Sequence, residues 1–386
     1  MRFDDKKQTM SVSISDRLER GRKLFVADPI RAILTVVLVL LMLDLVRQLL
    51  VGQTQFSEFG VMLKDGLMRG LFFGLAGIGL SMTYSILNFA NFSHGDLITS
   101  GSFAGMAVTY IIAGGFGAAT EEGSIIPLAL VGTGGSVYGA NLGIGVASTP
   151  LAVFAGVIFA GLATVALALF IDRVAYKPIR DRSGIALLIT SIGVAFALRY
   201  LIQFVFDPSR RGVTDSGAVP STRIPFVDGT VGLNLHEVSL FVVAVSLMLG
   251  LHLLLQRTRL GKAMRAMADN EDLARITGIP TERVVRYTWI IGAGLAGVAG
   301  YMFVIWNGTL HWFQGWILLL PIFAAVILGG IGSIYGAIVG GLIIGLTMSV
   351  SVVWLPTSLS RAAAFFIMIV VLLVRPEGIF AGRSTA

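Results

Sequence analysis

The residue types best suited to chemistry in this sequence lie together in one segment between two long apolar runs. From Leu87 to Gly101 the sequence reads LNFANFSHGDLITSG, with amide, hydroxyl, imidazole and carboxyl side chains close together. Such groups either satisfy the backbone of a helix that begins inside the protein or line a path for a polar solute. The candidate residues of this polar segment are Asn88, Asn91, Ser93, His94 and Asp96.

Two interpretations of the polar segment stay open. In the first, Ser93 caps the following helix, Asp96 completes a capping box as its third residue, and His94 pairs with Asp96. In the second, Asn88, Asn91, His94 and Asp96 line or gate a translocation path, because non-helical backbone at membrane depth is tolerated when it is buried in protein or lines a wet cavity. On the second interpretation Asp96 is also placed to meet a solute ammonium group.

Other catalytic chemistry finds no support in the sequence. There are no cysteines, the four histidines fall in separate segments without an HExxH pattern, and no GxxxxGK[ST] phosphate-binding loop occurs. The stretch GGIGS (329–333) is therefore not a nucleotide site. We expect no catalytic residue, no metal site and no cofactor in this chain, which is not predicted to be an enzyme.

The composition is that of an integral membrane protein. The 386 residues are 55% hydrophobic and only 13% charged, against about 25% charged in typical soluble domains. A membrane-spanning helix needs about 20 mostly apolar residues. We predict an all-α protein that crosses the plasma or inner membrane about ten times. The predicted spans are 31–50, 66–87, 97–115, 151–171, 185–206, 238–255, 286–306, 316–334, 337–354 and 362–374.

Basic residues orient the predicted spans. With the N-terminus inside the cell, the inner segments carry 21 of the 29 Lys and Arg residues and the outer segments carry 5. This bias places both termini inside, and it explains the net charge of +7 better than nucleic acid binding does. We divide the chain into a basic cytoplasmic segment, 1–30, on the inner membrane surface and a transmembrane domain, 31–386. Spans two to five and seven to ten then form two blocks of opposite sense, which is typical of an inverted repeat.

Glycines recur at helical spacing within the predicted spans. Small residues four apart allow membrane helices to approach closely, so we expect helix packing at these positions rather than ligand binding. The glycines concerned are Gly70 and Gly74, Gly341 and Gly345, and the series Gly332, Gly336 and Gly340.

The loop 256–286 is the most informative polar segment on the basic side. It contains one helical pattern near 260–268 and a second that begins after Asn270, a favourable N-cap residue, and ends before Gly278. Glu271 and Asp272 lie in the first turn of the second helix, where negative charge is favourable. A solvated hairpin and a projection that fits a groove of another protein both account for this pattern.

Three stretches of this chain resemble one family of transport proteins. GKAMRAMADNEDLARITGI (261–279) looks like the coupling segment of permeases in the ATP-binding cassette (ABC) importers for branched-chain amino acids and sugars. AAVILGGIGSIYGAIVGG (324–341) resembles the next signature of that superfamily, and NFSHGDLITSG (91–101) resembles an element of its first-type branched-chain amino acid permeases. The resemblance extends over residues 66–382.

The resemblance implies a permease subunit of about ten helices, which forms half of a pore with a second, related permease. Two ABC ATPases would bind ATP and act on the coupling loop, and an extracellular or periplasmic binding protein would deliver leucine, isoleucine or valine. An ABC permease for urea, short amides or another small polar solute stays open, as does an ion-coupled secondary transporter. The residues assigned to coupling are Met264, Asp269, Asn270, Glu271, Asp272, Ala274 and Gly278.

Charged residues near or inside the spans carry further expectations. Arg199 is expected to extend its side chain to the outer interface, with a pathway role as the alternative. Asp44 and Arg47 are three apart in the first span and are expected to pair. The outer loop 207–237 contains Arg210, Arg211 and Arg223, which are either solvated or contact acidic residues of a binding protein.

Overall fold

The computed structural model describes residues 29–117, 125–132, 141–214 and 219–380, and these are mostly helical. The predicted basic segment 1–30 lies almost entirely outside the described residues. The thirteen α-helices of the described part begin and end as follows: α1 Pro29–Val51, α2 Phe56–Leu87, α3 His94–Gly117, α4 Ile125–Ala129, α5 Pro150–Ile171, α6 Gly184–Phe206, α7 Leu235–Arg257, α8 Arg259–Asp269, α9 Glu271–Ile276, α10 Thr281–Asn307, α11 Gln314–Gly329, α12 Ile334–Val350 and α13 Ser360–Val374.

The number of membrane-crossing helices agrees with the prediction. Within the described ranges nine helices are long and apolar enough to span a bilayer, and α11 is a tenth, shorter apolar helix. Two boundaries were wrong. Helix α2 begins at Phe56, well before the predicted start at residue 66. Helix α11 ends at Gly329, and a turn then leads into α12, so the predicted break at 335–336 comes too late.

The early start of α2 has an electrostatic reason. Lys64, Asp65 and Arg69 interrupt the apolar run and hide the helix from a search for hydrophobic windows. In the fold, Lys64 Nζ lies 2.6 Å from Glu237 Oε1 on α7 and donates to the Gly232 carbonyl at 2.9 Å. The paired charge can be buried beside other helices, since a partly buried cation is tolerated when it is matched by a carboxylate and hydrogen bonds.

The helices form two blocks of opposite orientation. The first consists of α2, α3, α5 and α6, and the second consists of α10, α11, α12 and α13. Helix α2 packs lengthwise on α12, and α10 packs in the same way on α5. Helix α3 packs on α5 as α11 packs on α12. The core of the described chain lies where α2, α3 and α10 meet, and it includes the fully buried side chains of Phe72, Ile98 and Tyr301.

Glycines allow the closest of these helix contacts. A Cβ atom at Gly341 or Gly345 would collide with the backbone of α2 at Gly74 or Gly70. Gly336 and Gly340 approach the backbone of α11 in the same way. Gly332 differs from the prediction, because it lies in the turn before α12 with a φ of +88° and not on a packed helix face. Its role there is the left-handed backbone conformation, which glycine adopts without steric cost.

Short strands close the outer side of the bundle. Strand β1 (Arg211–Gly212) pairs with β4 (Thr309–Leu310), and β2 (Ser221–Phe226) forms an antiparallel hairpin with β3 (Gly229–Asn234). Asp228, in the turn of the hairpin, accepts a 2.8 Å hydrogen bond from the Ser57 backbone N–H at the start of α2. Desolvation raises the pKa of the Asp228 carboxyl, but the donors of Ser57 and Phe56 outweigh it and leave the pKa below its usual value.

The outer arginines do not behave alike. Arg210 and Arg223 are exposed, as a docking role requires. Arg211 is buried, and its Nη1 donates to the carbonyl of Val131 at 3.0 Å. Its side chain therefore binds backbone carbonyls inside the outer end of the bundle. The expectation that it contacts solvent or a binding protein was wrong.

Candidate functional site

The polar segment turns back into the protein after α2 ends. Asn88 ends α2 in the left-handed conformation, with φ 52° and ψ 35°. Helix α3 begins at His94, whose Nε2 lies 2.9 Å from the carbonyl oxygen of Ala76 on α2. Ala76 precedes the end of α2 at Leu87 by eleven residues, which is about 16 Å along a helix. Helix α3 therefore begins deep inside the membrane-spanning region.

Asn91 holds this turn together. Its Oδ1 accepts hydrogen bonds from the Ser93 backbone N–H at 3.1 Å and from the Ser93 hydroxyl at 2.7 Å. The hydroxyl of Tyr176, at the end of the π-helical segment Asp172–Tyr176 that follows α5, lies 2.8 Å from the Ser93 Oγ. The expected capping box between Ser93 and Asp96 was wrong, because Asn91 takes the Ser93 N–H that Asp96 was expected to bind. A local side-chain acceptor two residues away reaches this donor more easily than the carboxylate of the following helix turn.

Asp96 is paired with Arg199 of α6. Arg199 Nε donates to Asp96 Oδ1 at 3.1 Å and Nη2 donates to Oδ2 at 2.8 Å, and the two side chains are 4% and 0% exposed. The expectation that Arg199 extends to the interface was wrong, and so was the expected pair of His94 with Asp96. Both changes have one cause: a carboxylate buried in a membrane protein needs a matched cation, and the guanidinium supplies two aligned donors.

Aromatic rings surround the guanidinium on its other sides. The Arg199 Cζ lies 4.2 Å from the centre of the Trp316 ring and 5.2 Å from the rings of Phe196 and Phe313. Ring faces carry negative potential, so they stabilise a cation from which water has been removed. The buried pair is thus enclosed by α3, α6 and the start of α11.

A second turn with the same backbone follows α10. Gly308 ends α10 in the left-handed conformation, as Asn88 ends α2, and the two positions are 220 apart. Four hydrogen bonds of the first turn recur at that spacing. Three are backbone bonds: Asn88 N–Tyr84 O corresponds to Gly308 N–Val304 O, His94 N–Asn91 O to Gln314 N–His311 O, and Leu97 N–Ser93 O to Ile317 N–Phe313 O. The fourth joins a backbone N–H to a side chain: Ser93 N–Asn91 Oδ1 corresponds to Phe313 N–His311 Nδ1.

The two turns meet at a pair of glycines at equivalent positions. A Cβ atom on Gly315 would collide with the Gly95 carbonyl oxygen, and the Gly315 N–H donates to Thr99 Oγ1 at 3.0 Å. Helices α3 and α11 therefore begin against each other and run in opposite directions, with the positive ends of both helix dipoles in the interior. The Asp96 carboxylate, in the first turn of α3, supplies negative charge at this junction.

The candidate residues of the polar segment separate into two groups. Asn91, Ser93, His94 and Asp96 are buried, and each has a partner in this chain. Asn88 is exposed on the inner side and shares none of these side-chain contacts. The sequence did not indicate Tyr176 or Trp316 as members of the site, and it did not connect Arg199 with the polar segment, since each is distant from that segment along the chain.

The basic inner loop folds as two short helices with well-defined ends. Thr258 caps α8 by accepting from the Gly261 N–H at 3.1 Å, and Asn270 caps α9 by accepting from the Leu273 N–H at 2.8 Å. Helix α9 ends with Gly278 at φ +85°, where Ile279 N bonds Ala274 O and Gly278 N bonds Arg275 O. This is a Schellman ending, so the predicted cap and the predicted terminal glycine are both present.

The buried and exposed faces of this loop differ from the sequence interpretation. Met264 and Ala274, which were assigned to coupling, are both buried against the rest of the chain. The apolar side chains that α9 presents to solvent are Leu273, 55% exposed, and Ile276, 81% exposed. Asp269, Asn270 and Asp272 are exposed beside them, and Glu271 pairs with Arg275 at 2.9 Å. Leu273 was missed because helix phase alone does not say which face of a six-residue helix is covered.

Comparisons with known proteins show which family this chain resembles. The model of the family described as "Branched-chain amino acid transport system / permease component" matches residues 62–372. The chain is 31% identical to the high-affinity branched-chain amino acid transport system permease protein BraD of Pseudomonas aeruginosa, over 82% of this chain and 94% of BraD. It is 29% identical to the permease protein LivH of the same kind of system in Salmonella typhimurium, over 84% of this chain and 96% of LivH. A probable branched-chain amino acid transport permease protein LivH of Methanocaldococcus jannaschii is also 29% identical, over 79% of this chain.

Proposed function

This chain belongs to the family of branched-chain amino acid transport permeases, and from that premise we propose what it carries and which subunits work with it. It is a multi-pass protein of the cell membrane and the permease component of an ABC importer, not an enzyme. We propose that its solutes are leucine, isoleucine and valine. The family match over most of the chain carries this proposal, and the names of the BraD and LivH relatives support it.

The inner loop supports coupling to an ATPase. Helix α9 is fixed at both ends by its caps and stands on the buried side chains of Met264 and Ala274, so it can transmit a force to the helices behind it. Its exposed Leu273 and Ile276 fit a shallow apolar groove of a partner, in the way short amphipathic helices bind. ATP would be bound and hydrolysed by two partner ATPases. No cofactor is assigned to this chain.

The remaining subunits complete the proposed importer. A second, related permease would form the other half of the pore, and a binding protein outside the cytoplasm would deliver the amino acid. Arg210 and Arg223 are the exposed outer arginines available to acidic residues of that binding protein. When the ATPases close on ATP, the inner loops of both permeases would move together and change which side of the membrane the pore faces.

The test is uptake by the reconstituted importer. We expect proteoliposomes that contain this chain, its partner permease, both ATPases and the binding protein to accumulate radiolabelled leucine only with ATP. The double variant Leu273→Asp with Ile276→Asp should abolish uptake, because two charges cannot enter an apolar groove without losing their hydration. Val227→Asp is the matched control, since Val227 is also 81% exposed but lies on the outer hairpin.

Three outcomes would each contradict part of the proposal. Leucine uptake that follows an ion gradient without ATP would favour a secondary transporter, for which Asp44, Asp65 and Asp96 lie within spanning helices. ATP-dependent uptake of urea or a short amide, with none of leucine, would keep the importer and replace the solute. Unchanged uptake by the α9 double variant would remove the role of this helix in coupling.

A further inference from the structure

A cavity of about 260 Å³ lies between the outer parts of α2, α12 and α13. Its volume is just below the range of about 300–1,000 Å³ that drug-sized ligands occupy, so it suits one small molecule. The lining combines charged, hydroxyl and apolar side chains. It is formed by Met62, Asp65, Arg69, Met348, Ser349, Val352, Thr357 and Ser360.

Of the two charged residues in this cavity, Arg69 has no charged partner in the described part of the chain, and Asp65 has only a long contact to Lys64. Asp65 and Arg69 are four residues apart on α2 and so lie on one face of the helix. Among the described residues, Arg69 has no ion pair, and its buried Nε has no hydrogen-bond partner. Lys64 Nζ is 3.5 Å from Asp65 Oδ1, but its shorter contact is to Glu237 Oε1 at 2.6 Å. A buried guanidinium N–H without an acceptor is costly, which indicates an acceptor that the chain itself does not supply.

A hydroxyl on the opposite wall is also without a partner. Ser349, near the end of α12, is 7% exposed, and its Oγ is buried with no hydrogen-bond partner among the described residues. Serines in this fold usually find an acceptor on their own helix, as Ser102 does with the Ile98 carbonyl at 2.9 Å. Ser349 is therefore a second residue of the cavity lining with an unsatisfied polar group.

The fold does not need this charged pair. In the inverted repeat α10 corresponds to α2 with a shift of 220 positions, which places Val285 at the position of Asp65 and Trp289 at that of Arg69. Both are buried against neighbouring helices. The same structural position is thus occupied by uncharged side chains in one block and by two charged side chains in the other.

We propose that this cavity binds an aliphatic α-amino acid as a zwitterion, on the outer side of the permease. Arg69 would bind the carboxylate, because a guanidinium matches the two oxygens of a carboxylate. Asp65 would bind the ammonium group, and Ser349 would add a hydrogen bond. Met62, Met348 and Val352 would contact the aliphatic side chain, and the flexible methionines would accept branched chains of different shape. The proposal rests on the proposed function and assigns the solute a site in this chain.

The position of the cavity suits a solute that has just left a binding protein. By the charge-based orientation, the start of α2, the end of α12 and the start of α13 all lie on the outer side. A site there needs only weak affinity, because transport requires that the solute leaves again. We therefore expect binding in the millimolar range, well below the affinity of a dedicated binding protein.

The experiment measures binding to the purified permease complex in detergent, with full-length chains and without the binding protein. Ligand-observed NMR would follow leucine, leucinamide, which lacks the carboxylate, and 4-methylpentanoate, which lacks the ammonium group. We expect the wild type to prefer leucine over both analogues. Arg69→Gln should weaken leucine binding about tenfold or more and abolish the preference over leucinamide. Asp65→Asn should abolish the preference over 4-methylpentanoate.

Matched variants separate a ligand role from a structural one. Arg69→Lys keeps the charge and should retain part of the leucine affinity. Arg257→Gln removes an exposed arginine at the inner end of α7, outside the cavity, and should leave leucine binding unchanged. A wild type that binds leucine and 4-methylpentanoate equally would replace the zwitterion by a carboxylate or lipid ligand. Leucine uptake with no leucine binding here, or with unchanged binding in both charge variants, would overturn the inference but not the proposed function. A complex that takes up no leucine would contradict the proposed function itself.

Discussion

The turn at Asn88–Asp96 and the turn at Gly308–Trp316 have the same backbone and different chemistry. Each ends a long helix in the left-handed conformation, bends back into the bundle, and starts the next helix in the interior. The first turn places His94 and Asp96 inside, whereas the second places Gln314 and Trp316 at those positions. The shared hydrogen bonds therefore belong to the fold, and the differences between the turns show what each block adds.

Asp96 and Trp316, at equivalent positions, contact the same guanidinium from two sides. Asp96 supplies the charge and Trp316 supplies the ring face for Arg199. The inverted repeat therefore has a structural role. It brings one residue of each block to a single buried cation on α6, and it ties both turns to that helix.

The largest effect is expected from the charged side of this comparison. Asp96→Asn leaves the Arg199 guanidinium buried without its carboxylate, which should cost about 3–5 kcal/mol of stability. Thermal unfolding of the purified complex would measure the loss. The double variant Asp96→Leu with Arg199→Met removes both charges and should recover most of it.

A different result for Asp96 would restore a pathway role. If Asp96→Asn unfolds at the wild-type temperature but transports leucine poorly, the carboxylate serves the solute and not the fold. Uptake should therefore be normalised to the amount of assembled complex, so that loss of protein is not mistaken for loss of transport.

A smaller effect is expected where the two turns touch. Gly315→Ala places a methyl group against the Gly95 carbonyl, and the overpacking should cost about 1–3 kcal/mol. Gly193→Ala on α6 is the control, because a Cβ there meets no atom within 4 Å. Thermal unfolding of both variants would test the contact, and equal melting temperatures would show that the turns do not depend on it.

The smallest effect is expected at the helix ends that open the turns. Asn88 has a φ of 52° and Gly308 a φ of 71°, so Asn88→Gly should be neutral or stabilising, whereas Gly308→Ala should cost about 1–2 kcal/mol. The change in melting temperature should be zero or positive for Asn88→Gly and negative for Gly308→Ala. A large loss in Asn88→Gly would instead assign its side chain a role that the exposed position does not explain.

Features set by nearby residues were predictable from the sequence. The caps of α9 depend on Asn270 and on Gly278, both within a few residues of the helix they bound, and both were found as predicted. The pair of Asp44 with Arg47, one helix turn apart, is also present at 2.8 Å. The spans and their order followed from hydropathy, because few other structures can place such long apolar runs.

Features set by distant residues were not predictable in this way. Asp96 and Arg199 are 103 positions apart, so no local pattern shows that one neutralises the other. The first turns of α2 were missed for the same reason, since the partner of Lys64 lies on α7 at Glu237. Long-range ion pairs make polar positions acceptable inside the bundle, and a single sequence shows the charge without its partner.

Helix α7 has a consequence for how the chain enters the bilayer. Four crossings return a polypeptide to the side from which it set out, so only a lone extra crossing, Leu235–Arg257, can turn the second block upside down relative to the first. Without α7, either the arginine-rich loop 256–286 would lie outside the cell or one of the hydrophobic segments would not insert into the membrane. Helix parity, as much as side-chain packing, thus keeps the two halves antiparallel.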